Sequence, residues 1–190
     1  MFDRSMPDIH LEMRLPRLSQ VPPAPLPRGY RLRTYRPGEE EAWARIETAA
    51  GEFDDVAAGL RGFAIYFRRD ALLLPDRMFF AVDGEDRPVA TATAWFSGER
   101  GMLHWVAVHG DHQGEGLARP VIAAALGRLH DLGYREVGLG TQPPSWVAIR
   151  LYLEYGFRPV WKDDPAVIAG WEAVYRKIGK EFARELCVDS

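Results

Sequence analysis

Apolar and polar positions along the chain change period several times, and each change marks an element. Ile9, Leu11, Met13 and Leu15 alternate with His10, Glu12 and Arg14, so residues 8–15 are expected to form a half-buried strand. Pro16, Pro22, Pro23, Pro25 and Pro27 follow in a stiff, extended connector. Tyr30–Arg36 returns to a strand pattern, and Pro37-Gly38 then precedes Glu39, Glu40 and Glu41, acids suited to the first turn of a helix. Val56, Leu60, Phe63 and Phe67 recur at helical spacing and predict a second helix. Met78–Val82 and Val89–Phe96 are β-rich runs joined through Asp83-Gly84-Glu85-Asp86, whose Asp-Gly pair predicts a tight hairpin turn. Gly98-Glu99-Arg100-Gly101 turns the chain into a third run, Met102–Val108, so these strands form an antiparallel meander.

From Leu117 the period changes again. Val121, Ala125, Leu129 and Leu132 lie four, four and three residues apart, an amphipathic helix over 117–132 with Pro120 in its first turn. Arg135–Thr141 is the next strand, and a strand–helix–strand crossover implies parallel pairing with 102–108. The sheet is therefore expected to be mixed, with a crevice at the carboxyl ends of strands that part. A helix near Trp146–Tyr155 and a strand from Phe157 to Trp161 follow, after which Trp171, Val174, Tyr175, Ile178 and Phe182 return to helical spacing. The predicted organisation is an α/β body over residues 30–161, an N-terminal arm over 1–29 and a C-terminal helical extension over 162–190. The arm's strand has an edge to satisfy, against its own sheet or against a second copy in a homodimer.

Composition narrows the function classes. A chain of 190 residues with 47% hydrophobic residues can bury a sizeable core, and no run of about 18 apolar residues is present to span a membrane. The formal net charge of −3 lacks the basic footprint of a nucleic-acid binder. Cys187 is the only cysteine, which excludes an internal disulfide and a cysteine zinc cluster and fits a reducing compartment. The opening MFDRSMPDIHLEM has acids and no signal-peptide core, and a cytoplasmic location is the expectation.

Candidate chemistry concentrates between Met102 and Pro120. The strand breaks at Gly110, Gly114 and Gly116 and restarts as a helix, so backbone N–H groups and the positive end of a helix dipole converge on one point. Such a point suits a phosphate, and glycine lets a diphosphate lie against the amides; a plain tight connection fits the same residues. A dinucleotide fingerprint is excluded, because Arg119 stands where its third glycine would be. Glu47, Glu52, Asp54 and Asp55 form an acidic stretch, either a solvated face or a mouth attractive to amines.

Two separated motifs carry a resemblance. Gln113-x-x-Gly116-x-Ala118 and Ala148-x-x-Leu151-Tyr152-x-x-x-Gly156-Phe157, in this order of elements, resemble the GNAT superfamily of acyl-coenzyme A-dependent N-acyltransferases over about residues 30–161. The resemblance implies a mostly antiparallel sheet, splayed at its central parallel strands and flanked by helices. It implies acetyl-coenzyme A as co-substrate, with the main chain of Val106, Ala107 and Val108 beside the pantetheine arm. Gln113, Gly114, Glu115, Gly116, Leu117, Ala118 and Arg119 would cradle the diphosphate, with the Glu115 side chain turned to water. Ser145 stands where the family often has an asparagine that contacts the coenzyme.

The implied reaction is direct transfer of acetyl to a primary amine of a small molecule or peptide in a ternary complex, without a metal. Backbone amides of the splayed strand would polarise the thioester carbonyl. Tyr152, a phenol protonated at neutral pH, is the candidate acid for the leaving thiolate and also lies at the coenzyme. His104 is the candidate base, placed by period two on the face of Val106 and Val108. The string LHWVAVH also resembles the corresponding strand of arylalkylamine N-acetyltransferases, which carry two alternate histidines; His104 matches one, and Met102 stands at the other. The alternative is a coenzyme-binding or ligand-sensing module on the same fold without turnover.

Overall fold

The computed structural model describes residues 2–189. In chain order these form β1 (Leu11–Leu15), β2 (Arg31–Thr34), α1 (Glu40–Ala50), α2 (Val56–Phe67), α3 (Leu74–Arg77), β3 (Met78–Val82), β4 (Pro88–Ser97), β5 (Arg100–Val108), α4 (Ala118–Asp131), β6 (Val137–Thr141), α5 (Trp146–Glu154), β7 (Arg158–Pro159) and α6 (Pro165–Lys177). Mixed α/β structure with antiparallel strand neighbours is the class the pattern predicts. Among the described residues no helix is long and apolar enough to cross a membrane. The described residues divide into two compact units, 19–133 and 2–18 with 134–189.

In the unit 19–133, β2, β3, β4 and β5 form an antiparallel meander, with Arg33 opposite Phe80, Phe79 opposite Ala92 and Ala94 opposite Leu103. Every residue of β4 from Val89 to Trp95 is buried, so both faces of this strand are covered. One face carries Met78, Phe80, Val82, Trp95 and Ala107 against Trp43, Ile46, Phe63 and Phe67 of α1 and α2. The alternate residues Ala90, Ala92 and Ala94 are fully buried too, and their small side chains leave room for α4, which packs across β3, β4 and β5. The α1–α2 crossing is close: a Cβ on Gly59 would lie 2.9 Å from the Ala44 Cβ.

The β3–β4 connection is the expected tight hairpin turn, closed by the Asp86 N–H on the Asp83 carbonyl at 3.1 Å, but its glycine is not what shapes it. Positive φ falls on Asp86, at 64°, and not on Gly84. The Asp83 carboxylate builds the loop by accepting from the backbone N–H of Glu85 and of Arg87, each at 3.0 Å. Asp86 is free to pair outward with Arg33 at 3.0 Å and Arg36 at 2.7 Å, which ties the loop to β2.

The second unit is a three-stranded antiparallel sheet with β1 at its centre. Leu11, Met13 and Leu15 are buried as the alternation requires, and Met13 lies opposite Leu139 of β6 and Pro159 of β7. The arm's strand therefore satisfies its hydrogen bonds within its own chain. Helix α6 starts at the Asp164 N-cap, which accepts from the Ala166 N–H at 2.8 Å, and buries Trp171, Val174 and Tyr175. It lies so close to β1 that a Cβ on Gly170 would be 3.3 Å from Leu11 Cδ2. Phe182, beyond the helix, stacks on Trp171.

Candidate functional site

A bulge in β5 sets the geometry of the larger unit's site. Thr91 faces Ala107 and Thr93 faces His104, so Trp105 and Val106 together oppose the single residue Ala92. Trp105 takes up the extra residue at φ 48°, a conformation that costs a bulky side chain roughly 1–3 kcal/mol and persists only where packing imposes it. The packing is aromatic: Phe53 stacks on Trp105 with centroids 5.4 Å apart, and Trp43 and Tyr66 meet it edge-on at 5.3 and 4.9 Å.

The bulge also corrects the expected alternation. His104 points at Tyr66 and Phe67, while after the extra residue it is Ala107 that joins the same helix-covered core. Val106 and Val108, flanking Ala107, thus take the opposite face from His104. Enclosed by rings with no opposite charge beside it, the imidazole loses hydration that its cationic form needs, and burial pulls its pKa down to about 4.

Beyond β5 the chain forms the glycine turn. Gln113 Nε2 donates to the Val108 carbonyl at 3.1 Å and anchors the loop to the strand end. Gly114 and Gly116 both have φ 85°, a region that only glycine enters without strain. Leu117, buried at the N-cap of α4, offers no side-chain acceptor, so the amide donors of the first turn look out along the helix axis. Pro27 of the proline connector comes within 4.0 Å of where a Cβ on Gly116 would stand. Glu115 is exposed to water as expected, and it also accepts a hydrogen bond from the Tyr30 hydroxyl, which lies 2.8 Å from His112 Nδ1. Accepting that bond, the carboxylate holds the Tyr30 pKa up at about 12.

In the other unit, the second motif is a helix terminus. Gly156, at φ 90°, donates its N–H to the Leu153 carbonyl at 3.1 Å, and the Phe157 N–H reaches the Tyr152 carbonyl at 3.0 Å. This is the Schellman pattern, completed by packing of the Phe157 ring on the buried Tyr152 ring at 6.0 Å. The motif's spacing thus has a structural reason: its glycine ends α5, and its phenylalanine seats the tyrosine. Ser145 is the N-cap residue of α5, but its side chain makes no capping bond.

The acids from Glu39 to Asp55, the helix-opening glutamates together with the acidic stretch, are dispersed among separate tasks. Glu39 pairs with Arg33 at 2.6 Å, Glu40 accepts from the Tyr35 hydroxyl at 2.7 Å, Glu41 pairs with Arg45, and Asp55 caps α2 by accepting from the Ala58 N–H at 2.7 Å. Glu47 is different. It is 1% exposed, and neither carboxylate oxygen has a hydrogen-bond partner. Burial, and next the charge of Glu52, raise its pKa well above the carboxylate range. The expectation of a solvated or mouth-like acidic run missed this inward carboxylate; its position four residues after Trp43, on the apolar stripe of α1, was the available signal.

In this mixed α/β domain a bulged strand runs through a two-glycine turn into a helix that no side chain caps, and backbone amides in such an arrangement can accept an anionic group. The acetyltransferase (GNAT) family model matches residues 38–157, more than half of the chain, and the chain belongs to that family. A mycothiol acetyltransferase of Actinosynnema mirum is 34% identical over 158 residues, covering 77% of this chain and 50% of the relative. A mycothiol acetyltransferase of Catenulispora acidiphila is 28% identical over 162 residues, covering 74% of this chain and 48% of the relative. Among solved structures, a GCN5-related N-acetyltransferase from Sphaerobacter thermophilus is similar with a TM-score of 0.61 and 26% identity, over 79% of this chain and 48% of that one. The chain spans about half the length of these relatives.

Proposed function

We propose that the chain transfers an acetyl group from acetyl-coenzyme A to a primary amine of a small molecule by direct attack in a ternary complex. The observation that carries this reading is the turn Gln113–Ala118, with two glycines at φ 85° ahead of a helix that no side chain caps. Its converging amides suit the coenzyme's diphosphate, and Tyr30 draws the one carboxylate of the turn, Glu115, into a hydrogen bond. The main chain of Val106, Ala107 and Val108 is assigned to the pantetheine arm, and Tyr152 to protonation of the leaving thiolate.

The relatives' names put forward an acceptor related to mycothiol. His104 is a poor sink for the acceptor's proton. With its pKa at about 4 it stays neutral near pH 7, and taking a proton from an ammonium is uphill by about 2.5 pH units more than for an ordinary imidazole at 6.5.

Calorimetry with coenzyme A tests the binding step, and release of free thiol with a panel of primary amines, a desacetylated mycothiol among them, tests transfer. Gly116→Asp, which sets a Cβ and a negative charge in the turn, should abolish coenzyme binding while the circular dichroism of the fold persists. Unchanged affinity in that folded variant would remove the site, and tight binding without thiol release for any amine would favour the sensing module.

A further inference from the structure

A carboxylate that is fully buried, with both oxygens unbonded, is a costly feature unless something else completes it. Glu47 stands one helical turn after Trp43 on the face of α1 that packs against β5, and the loop after α1 carries Phe53, whose ring lies on Trp105 and 5.9 Å from Trp43. Trp43 Nε1, Thr48 Oγ1 and Trp105 Nε1 are buried without partners as well, so polar atoms on α1 and β5 share the same unmet demand. Around them the strained Trp105 backbone keeps three aromatic faces together, and aromatic faces attract a cation. A buried carboxylate one helical turn from Trp43, whose ring meets those of Phe53 and Trp105, matches an ammonium group, and neutral ligands leave its charge uncompensated.

We propose that Glu47 is the receptor for the acceptor's ammonium group and takes its proton before attack. The inference rests on the reading of the acceptor as a primary amine. The ammonium gives one proton to the Glu47 carboxylate, and the freed nitrogen lone pair attacks the thioester carbonyl carbon. The C–N bond forms and the C–S bond breaks. The sulfur leaves with the C–S electron pair, the second nitrogen proton goes to the thiolate through its acid, and Glu47 returns the first to water. Entry requires the Phe53 loop, residues 51–55, to lift from Trp105. Of the titratable groups around this face, Glu52 lies on that loop and raises the Glu47 pKa; Asp55 is engaged at the α2 N-cap, and His104 on β5 is neutral above about pH 4.

The test titrates n-butylammonium chloride into coenzyme-loaded protein and follows the fluorescence of Trp43 and Trp105, with n-butanol as the neutral isostere. Saturable binding of the ammonium and none of the alcohol is expected, with affinity rising with pH through the Glu47 ionisation and a proton released on binding below it. Glu47→Gln, of the same shape and without charge, should abolish both, lower kcat/KM for amines by at least about 100-fold, and leave coenzyme affinity unchanged. Glu47→Asp should recover part of the binding. Equal ammonium affinity in wild type and Glu47→Gln, or no ammonium binding in either, overturns the proposal. If amines are still acetylated in those cases, the primary-amine reading survives and only the place of the acceptor falls.

Discussion

Replacing His104 by phenylalanine isolates one titration in the folded protein. The phenyl ring retains the contacts with Tyr66, Phe67 and Trp105 and removes the group that must stay neutral. In the unfolded chain the imidazole titrates near 6.5, and in the folded chain burial moves it to about 4. Between those values the unfolded state binds more protons, so His104 contributes stability that is full above pH 6.5 and is lost as pH falls toward 4. The gap of about 2.5 pH units, at about 1.36 kcal/mol each, sets an upper figure of roughly 3 kcal/mol, a large share of the 5–15 kcal/mol typical of a domain.

Glu47 opposes this trend. Its folded pKa is raised above 4.5, so the folded state binds more protons and stability falls as pH rises from 4.5 to that raised value. The lowered carboxylates Asp3 and Asp86, brought from 3.8 to about 2, act below this window. Urea unfolding followed by tryptophan fluorescence, at steps from neutral pH to about 4.5, resolves the two contributions. His104→Phe should lose the acid-side decline and show stability rising as pH falls. Glu47→Gln should be more stable than wild type at neutral pH and decline more steeply on acidification. The same pH slope in wild type and His104→Phe would refute the burial argument for the imidazole.

Three further substitutions have definite expected outcomes. Tyr152→Phe should lower turnover by roughly 100-fold with little change in coenzyme affinity, measured by free-thiol release and calorimetry; equal turnover would reduce the hydroxyl to packing. Gly156→Ala forces a Cβ into φ 90° and should cost roughly 1–2 kcal/mol, a Tm lower by about 2–4 °C per kcal/mol, whereas an unchanged Tm would contradict the Schellman reading. Tyr30→Phe releases Glu115 beside the diphosphate turn and should weaken coenzyme binding by a few-fold, with a loss that shrinks as salt screens the carboxylate.

The fold was legible where periodicity and punctuation agree. Leu11, Met13 and Leu15 alternate in sequence and in burial, and α4 lies within one residue of the helix expected at 117–132. Which strands the first one joins was not legible, because alternation states that one face is buried and says nothing of the partner; β6 and β7 supply it. The Asp83–Asp86 turn was legible, but which residue makes it was not. A side chain that bonds its own loop can replace glycine as the source of the turn, and Asp83 does so twice.

The site shows the same division more sharply. Glycines and motif spacing located the turn and the tyrosine, since both depend on local backbone geometry. Period two failed at His104 because one inserted residue reverses every later side chain, and no sequence rule announces a bulge at a tryptophan. The acidic run was only partly legible, because carboxylates of equal formal charge are separated only by what folds against them: an arginine for Glu39, a tyrosine for Glu40, a helix end for the exposed Asp55, and the unpartnered interior for Glu47. Charge counted along the chain overstates what the surface presents and hides the carboxylate left unpaired inside.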